Sequence, residues 1–206
     1  MTLYLIRHAE SEANKSRIMA SRMPFPLTKA GKSDADLIAS ELKEIVNINR
    51  IISSPLVRAV QTAESFSKIY NIPVEEDIRL AEQELGIFSG MTYDEVKEQP
   101  TYESNPLKRW DWVPEGGGES YSMIADRIKD FFYYLEDSKT EGNILIVTHA
   151  VAFRLIQSVL EKTLPNYPKS FPNNGEIWKV EFKSLNVKHK IESILLGNSR
   201  DFVHNP

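Results

Sequence analysis

Not one of the 206 residues is cysteine. That absence removes disulfide scaffolds, thiolate zinc sites, iron–sulfur clusters and every cysteine nucleophile. A basic surplus is missing too, since 25 Lys and Arg stand against 29 Asp and Glu, a formal net charge of −4. Such a balance does not coat nucleic acid or an anionic membrane, so neither is expected as a partner. Long apolar runs are also lacking. The first one, Leu3-Tyr4-Leu5-Ile6, gives way at once to Arg7 and His8, far short of a signal-peptide core or of the roughly 20 residues that span a bilayer. These absences fit a soluble, unprocessed, cytoplasmic protein. Glycine and proline number only 9 and 11, while 41% of the chain is hydrophobic and 26% charged, which excludes a disordered or collagen-like chain. The length suits a single domain over residues 1–206, carrying an insertion.

Short apolar runs end in polar residues and then give way to helical spacing, the pattern of strand-then-helix units around a largely parallel sheet. Three junctions stand out: Leu3 to Ile6 before Arg7-His8, Ile51-Ile52 before Ser53-Ser54-Pro55, and Ile144 to Val147 before Thr148-His149. After the second, Ser54 is expected to cap a helix that begins at Pro55, with Ala59, Val60, Ala63, Phe66 and Tyr70 on one face and Arg58 in the first turn. Thr28 is expected to cap another, with Leu37, Ile38, Leu42 and Ile45 as its apolar stripe. A third runs from about Ser120 to Leu135 with Ile124, Ile128, Phe131, Phe132 and Leu135 at helical spacing. Ile177 to Phe182 alternates like a half-buried strand, and Val187 to Leu196 is expected to pair with it at one sheet edge. The predicted fold is α/β, a three-layer sandwich with a mostly parallel central sheet and helices on both faces. The stretch from about 82 to 119 is broken by Gly86, Gly90, Pro100, Pro106, Pro114 and Gly116-Gly117-Gly118. It reads as a lid inserted over the sheet, with one short helix opened by the capping box Thr92-Tyr93-Asp94-Glu95.

In open α/β sheets ligands bind beyond the carboxyl ends of the strands, so Arg7, His8, Arg58 and His149 should converge. Two guanidiniums, two imidazoles and nearby helix N-termini describe a site for a compact anion, and phosphate suits arginine's forked donors best. Taken singly, each residue has a blander reading: a lone histidine is more often a core or capping group, and a lone Arg58 a surface ion-pair partner. Zinc held by His8, His149 and a carboxylate is disfavoured because two arginines would repel the cation. His189 and His204 read as incidental.

The Arg7-His8-Ala9-Glu10-Ser11 stretch resembles the Arg-His-Gly-Glu-Ser/Thr signature of the histidine phosphatase superfamily, the phosphoglycerate-mutase-like proteins. Other motifs follow in that family's order: Pro26-Leu27-Thr28-Lys29-Ala30-Gly31, Ser53-Ser54-Pro55-Leu56-Val57-Arg58, Leu80-Ala81-Glu82 before Gly86, Gly118-Glu119-Ser120 and Val147-Thr148-His149. The resemblance spans roughly residues 1–182 and implies a phosphohistidine mechanism. By it, neutral His8 attacks phosphorus in line while Arg7, Arg58 and His149 hold the non-bridging oxygens. Glu82, rather than Glu84 two residues on, protonates the leaving oxygen. Asn14 matches a residue that contacts the phosphoryl group or orients the nucleophile, and Ser21 is a weaker match of that kind. No cofactor or metal is expected, because fixed arginines supply the charge. The partner implied is a small phosphorylated substrate, with a homodimer left open.

Phosphatase and mutase share this core, and the lid decides between them. Cofactor-dependent mutases follow the acid glutamate with Arg-His-Tyr-Gly, where this chain has Gln83-Glu84-Leu85-Gly86. Between Glu82 and Glu119 nine acidic residues face Lys97, Lys108 and Arg109, a net of −6, and that field favours hydrolysis of a monoester over a bisphosphate. Phe88, Tyr93, Tyr102, Trp110 and Trp112 either grip an apolar leaving group or form the lid's own core. The leading expectation is therefore a metal-independent phosphomonoester phosphatase, with phosphoglycerate mutase as the alternative. A third reading, a phosphate-compound-binding protein with little turnover, arises from Ala9 and Ala150, which stand where the family has glycine. If either position requires positive φ, alanine there costs about 1 kcal/mol.

Overall fold

The computed structural model describes residues 1–195 apart from Thr140 and Ser170. Six strands form one mixed sheet in the order β3-β2-β4-β1-β5-β6. They are β1 (Thr2–Arg7), β2 (Arg50–Ser53), β3 (Val74–Glu76), β4 (Asn143–Thr148), β5 (Ile177–Glu181) and β6 (Ile191–Leu195). The first four are parallel, and β5 and β6 add antiparallel at the β1 edge. The pleat sends successive side chains to opposite faces. Leu3, Leu5, Ile144 and Ile146 enter one buried cluster, and Tyr4, Ile6, Leu145 and Val147 enter the other. Both faces are covered, which explains why these strands read as continuous apolar runs. The α/β sandwich expected from sequence is therefore present, with helices on either side of the sheet.

A single turn, α1 (Glu12–Lys15), follows β1. Helices α2 (Lys29–Ile45) and α3 (Val57–Tyr70) pack on one face, and α5 (Tyr121–Asp137) and α6 (Ala150–Glu161) on the other. Thr28 caps α2 and Ser120 caps α5, each through its hydroxyl, as expected. Ile124, Ile128, Phe131, Phe132 and Leu135 are all fully buried. Three sequence expectations are corrected. Ser54 does not cap α3: the helix starts at Val57 after an uncapped Leu56, and Pro55 lies outside it. The Ser54 hydroxyl is drawn instead to His149. The stripe of α2 is also rotated from the one expected, with Leu37 and Ile45 55% and 63% exposed while Ala35 and Ala39 are fully buried. Ile38 and Leu42 of the expected stripe are buried, and with Ala39 they share one cluster with Ala59 and Ala63 of α3. The C-terminal strand β6 begins at Ile191 rather than Val187, and Leu196 and His204 lie outside the described residues.

The 82–119 stretch carries α4 (Tyr93–Lys97), opened by the expected Thr92–Glu95 capping box. Leu85, Phe88 and Val96 form its small core, with Met19, Met91, Tyr102 and Trp112 packed against it. Phe88, Tyr102 and Trp112 meet pairwise at ring-centroid separations of 5.4 to 5.9 Å. Trp110 packs against the main core instead. None of the described helices is long and apolar enough to cross a membrane.

Candidate active site

The register places the functional junctions side by side. Arg7 pairs with Thr148 and Ser53 with Val147, so His8, Ser54 and His149 leave the sheet at one level. The His8 amide donates to Thr148 O at 3.0 Å and the Ser54 amide to Val147 O at 2.9 Å. Arg58 then enters from the first turn of α3. The four residues expected to converge do so, and the two imidazole centroids lie 5.1 Å apart.

The loop after β1 is fixed by the motif that follows it. Thr28 donates its backbone amide to Glu10 O at 3.0 Å and its hydroxyl to Glu10 Oε1 at 2.8 Å. A Cβ on Gly31 would stand 2.1 Å from Glu10 O, so glycine is required for α2 to approach the loop. Ala9 donates its amide to Thr62 Oγ1 at 3.1 Å. Neither Ala9 nor Ala150 has positive φ, so neither is strained. The strain that motivated a weakly active reading is absent.

His8 is held as a nucleophile would need to be. Its Nδ1 lies 2.8 Å from Ala9 O, and a carbonyl can only accept, so Nδ1 carries the proton and Nε2 presents its lone pair. Burial, then the Arg58 and Arg7 guanidiniums, push the imidazole well below its ordinary value of 6.5. Arg58 donates from Nε to His8 Nε2 at 3.3 Å, from Nη1 to Met23 O at 3.2 Å and from Nη2 to Ser21 O at 2.7 Å. Burial pushes its guanidinium down to about 10, with Glu82 opposing and Arg7 adding to the fall. It stays protonated at neutral pH. Arg7 is 2% exposed and donates from Nη1 to Pro172 O at 3.0 Å.

His149 is fully buried, and its Nε2 lies 2.7 Å from Ser54 Oγ. Ser54 Oγ also accepts from the Leu56 amide at 3.3 Å; in the tautomer in which Ser54 donates to Nε2, Nδ1 carries the ring proton. That buried Nδ1 has no hydrogen-bond partner among the described residues. Burial, with Arg58 next, pushes His149 well below 6.5 as well. An orphaned donor beside two buried guanidiniums is the signature of a site built for an anion.

Glu82 and Asn14 line the same cavity of about 150 Å³ as Arg7, His8 and Arg58. The Glu82 carboxylate docks on the N-terminus of α6, where Oε1 accepts from Val151 N at 3.2 Å and Ala152 N at 3.4 Å. Glu84 turns away, its Oε1 accepting from Ser21 Oγ at 3.1 Å and Ser89 Oγ at 3.2 Å. Geometry thus separates the two carboxylates. Asn14 Oδ1 accepts from Ser11 N at 3.0 Å and Ser11 Oγ at 2.7 Å, so its amide nitrogen is what it can offer a ligand. Ser21 lines the cavity as well, and its hydroxyl joins Gln83 O to the Leu85 amide.

Sequence reasoning missed several participants. Asn174 donates to His8 O at 2.8 Å, and Gly175 N to Arg7 O at 3.0 Å. The Asn173-Asn174-Gly175 run before a strand was a legible turn signal, though not its target. Arg109 and Phe171 line the cavity; Tyr93 and Tyr102, two of the aromatics expected either to grip a leaving group or to form a small core, line it too. The acidic field expected of the insertion is partly cancelled, since Arg22 and Arg127, from outside it, bind Glu119 at 2.8 and 3.1 Å. No three His, Asp or Glu side chains cluster as metal ligands among the described residues.

The chain is similar to known proteins. Phosphoserine phosphatase 1 of Hydrogenobacter thermophilus is 32% identical over 162 residues, covering 77% of this chain and 75% of its own. Phosphoglycerate mutase-like protein 4 of Arabidopsis thaliana is 30% identical over 188 residues, covering 90% and 77%. In fold, the mycobacterial glucosyl-3-phosphoglycerate phosphatase solved with VO3 superposes with a TM-score of 0.84 at 21% identity, covering 96% of this chain and 99% of that one. The family model described as histidine phosphatase superfamily, branch 1, matches residues 3–189, a span that holds every junction residue of the cavity, and the chain belongs to that superfamily.

Proposed function

We propose that the protein is a metal-independent phosphomonoester phosphatase working through a phosphohistidine on His8. The observation that carries this reading is the tautomer: Nδ1 anchored on Ala9 O leaves Nε2 as a neutral nucleophile between two guanidiniums. Nε2 attacks phosphorus as the bond to the leaving oxygen breaks, and Glu82 delivers a proton to that oxygen. Arg7, Arg58, His149 Nδ1–H and the Asn14 amide hold the non-bridging oxygens. Water then attacks the phosphohistidine, Glu82 takes its proton, and inorganic phosphate leaves with His8 neutral again.

The cavity is small beside the roughly 300–1,000 Å³ of drug-sized sites, and Ile18, Met19, Tyr93, Tyr102 and Val151 give it apolar walls. This supports a compact monoester. Phosphoserine, named for the Hydrogenobacter relative, is in that size class. Arg109 is the observation that favours a mutase, since a wall cation can hold a second acidic group. Its guanidinium is already engaged, however, by Tyr102 OH at 2.6 Å and Glu103 O at 2.9 Å.

The test is covalent trapping. Rapid quench with phosphorus-labelled nitrophenyl phosphate in EDTA should leave an acid-labile, base-stable label on the wild type and none on His8→Ala. A label persisting in His8→Ala refutes the nucleophile, and loss of turnover in EDTA refutes metal independence.

A further inference from the structure

Glu119 lies outside the cavity lining, yet its polar ends are tied to the segment that carries Glu82. Its Oε2 accepts from Arg22 Nη2 at 2.8 Å and Arg127 Nη2 at 3.2 Å, and its Oε1 from Arg127 Nε at 3.1 Å. Both guanidiniums reach past it to the backbone carbonyl of Glu82, Arg22 through Nε and Arg127 through Nη2, each at 3.3 Å. Arg127 also donates to Arg79 O at 2.6 Å. Glu119 brackets the next residues as well: its amide donates to Glu84 O at 2.8 Å, its carbonyl accepts from Gln83 Nε2 at 2.7 Å, and its Oε2 accepts from Glu84 N at 3.1 Å. Arg22 and Arg127 converge on one carbonyl, and like charges so close need an anion between them. Glu119 is that anion. Burial pushes its carboxyl up, but Arg127 and then Arg22 outweigh that and hold it below its ordinary range.

We propose that Glu119 is the positioning residue for Glu82, fixing through Arg22 and Arg127 the main chain from which the Glu82 carboxylate reaches the leaving oxygen. The inference rests on the reading of Glu82 as the acid. Misplacing a reacting group by about 1 Å costs up to roughly 100-fold, and that loss falls on substrates whose leaving group needs a proton. In the full chain, Glu119→Gln should lower kcat/KM on an alkyl phosphate by about ten- to a hundredfold. On nitrophenyl phosphate kcat/KM, which ends at phosphorylation of His8 and so precedes the water attack in which Glu82 acts as base, should change less than about twofold. Adding Glu119→Gln to Glu82→Gln should bring no further loss on the alkyl substrate, because the two act through one step. Arg22→Gln removes one arm and keeps the Arg127–Glu119 pair. It should show the same substrate pattern at smaller amplitude, and it decides the matter if Glu119→Gln does not fold.

Equal losses on both substrates in these variants, or multiplying losses in the double variant, would overturn the proposal. If Glu82→Gln is selective for poor leaving groups and neither Glu119→Gln nor Arg22→Gln is, the positioning inference falls alone. If Glu82→Gln itself is unselective, the acid assignment falls and takes this inference with it.

Discussion

Arg58 makes three hydrogen bonds, to His8, Ser21 O and Met23 O, and two replacements separate its charge from its shape. Arg58→Gln removes both. Losing a preorganised donor at the transition state costs about 2.7–4 kcal/mol, or roughly 10²–10³ in kcat. The buried Ser21 carbonyl, left without a donor, costs a further ~1–3 kcal/mol of stability. Arg58 is also the largest charge that holds the His8 imidazole below 6.5, second only to burial, so its removal should raise the His8 titration. Arg58→Lys keeps the charge but places it on a single nitrogen that cannot span three acceptors. Its activity should fall, with little movement of the His8 titration. Imidazole NMR across pH, in the absence of substrate, reads that titration without interference from a phosphate monoester ionising near pH ~6. A His8 titration unmoved in Arg58→Gln, or moved equally in both variants, would refute the electrostatic reasoning. Near-wild-type turnover by Arg58→Gln would refute the anion-binding role.

Two more predictions concern stability. His8 and His149 are both buried with imidazoles held well below 6.5, so the unfolded chain binds protons there before the folded one does. Their contribution is intact above pH ~6.5 and is lost as pH falls below it, at about 1.4 kcal/mol per pH unit for each histidine. Urea unfolding of wild type and His8→Ala between neutral and mildly acid pH should show a shallower slope in the variant, and parallel slopes would contradict the assignment. Gly31→Ala introduces a Cβ 2.1 Å from Glu10 O, backbone that cannot rotate away. Overpacking of this kind costs about 1–3 kcal/mol, and a thermal midpoint equal to wild type would show that α2 does not press on the β1 loop as described.

The strands were legible because both sheet faces are covered, which makes their apolar runs continuous and their polar ends abrupt. The elements not foreseen lack that contrast. Strand β3 is only Val74-Glu75-Glu76 at the sheet edge. Helix α6 instead follows the third junction, where the strand-then-helix pattern implied a helix without bounds, and Ala152, Phe153, Leu155, Ile156, Val159 and Leu160 are buried along it. Ser54-Pro55 misled for a different reason. A serine before proline is a fair capping signal, but the helix begins two residues later, at Val57, and the hydroxyl meets the His149 ring and the Leu56 amide instead.

Partners distant in the chain also explain which part of the site lay beyond the sequence. Arg7, His8, Arg58 and His149 sit at strand ends or in a first helical turn, so local pattern plus sheet topology suffices to bring them together. Asn174 acts on His8 across 166 residues, and Arg22 and Arg127 act on Glu82 from a loop and a helix whose local sequence shows only ordinary surface cations. Such groups are defined by the carbonyl they satisfy, and a carbonyl leaves no trace in residue type. This is why the acidic insertion misled: its net of −6 is a sum over the chain, whereas the field at the cavity depends on neighbours in space. There Arg22 and Arg127 bind Glu119, and Arg109 joins Arg7 and Arg58 in the wall. The proposed selection of a monoester over a bisphosphate therefore rests on the small volume of the cavity and on how far Arg109 is already engaged, not on repulsion by the 82–119 stretch.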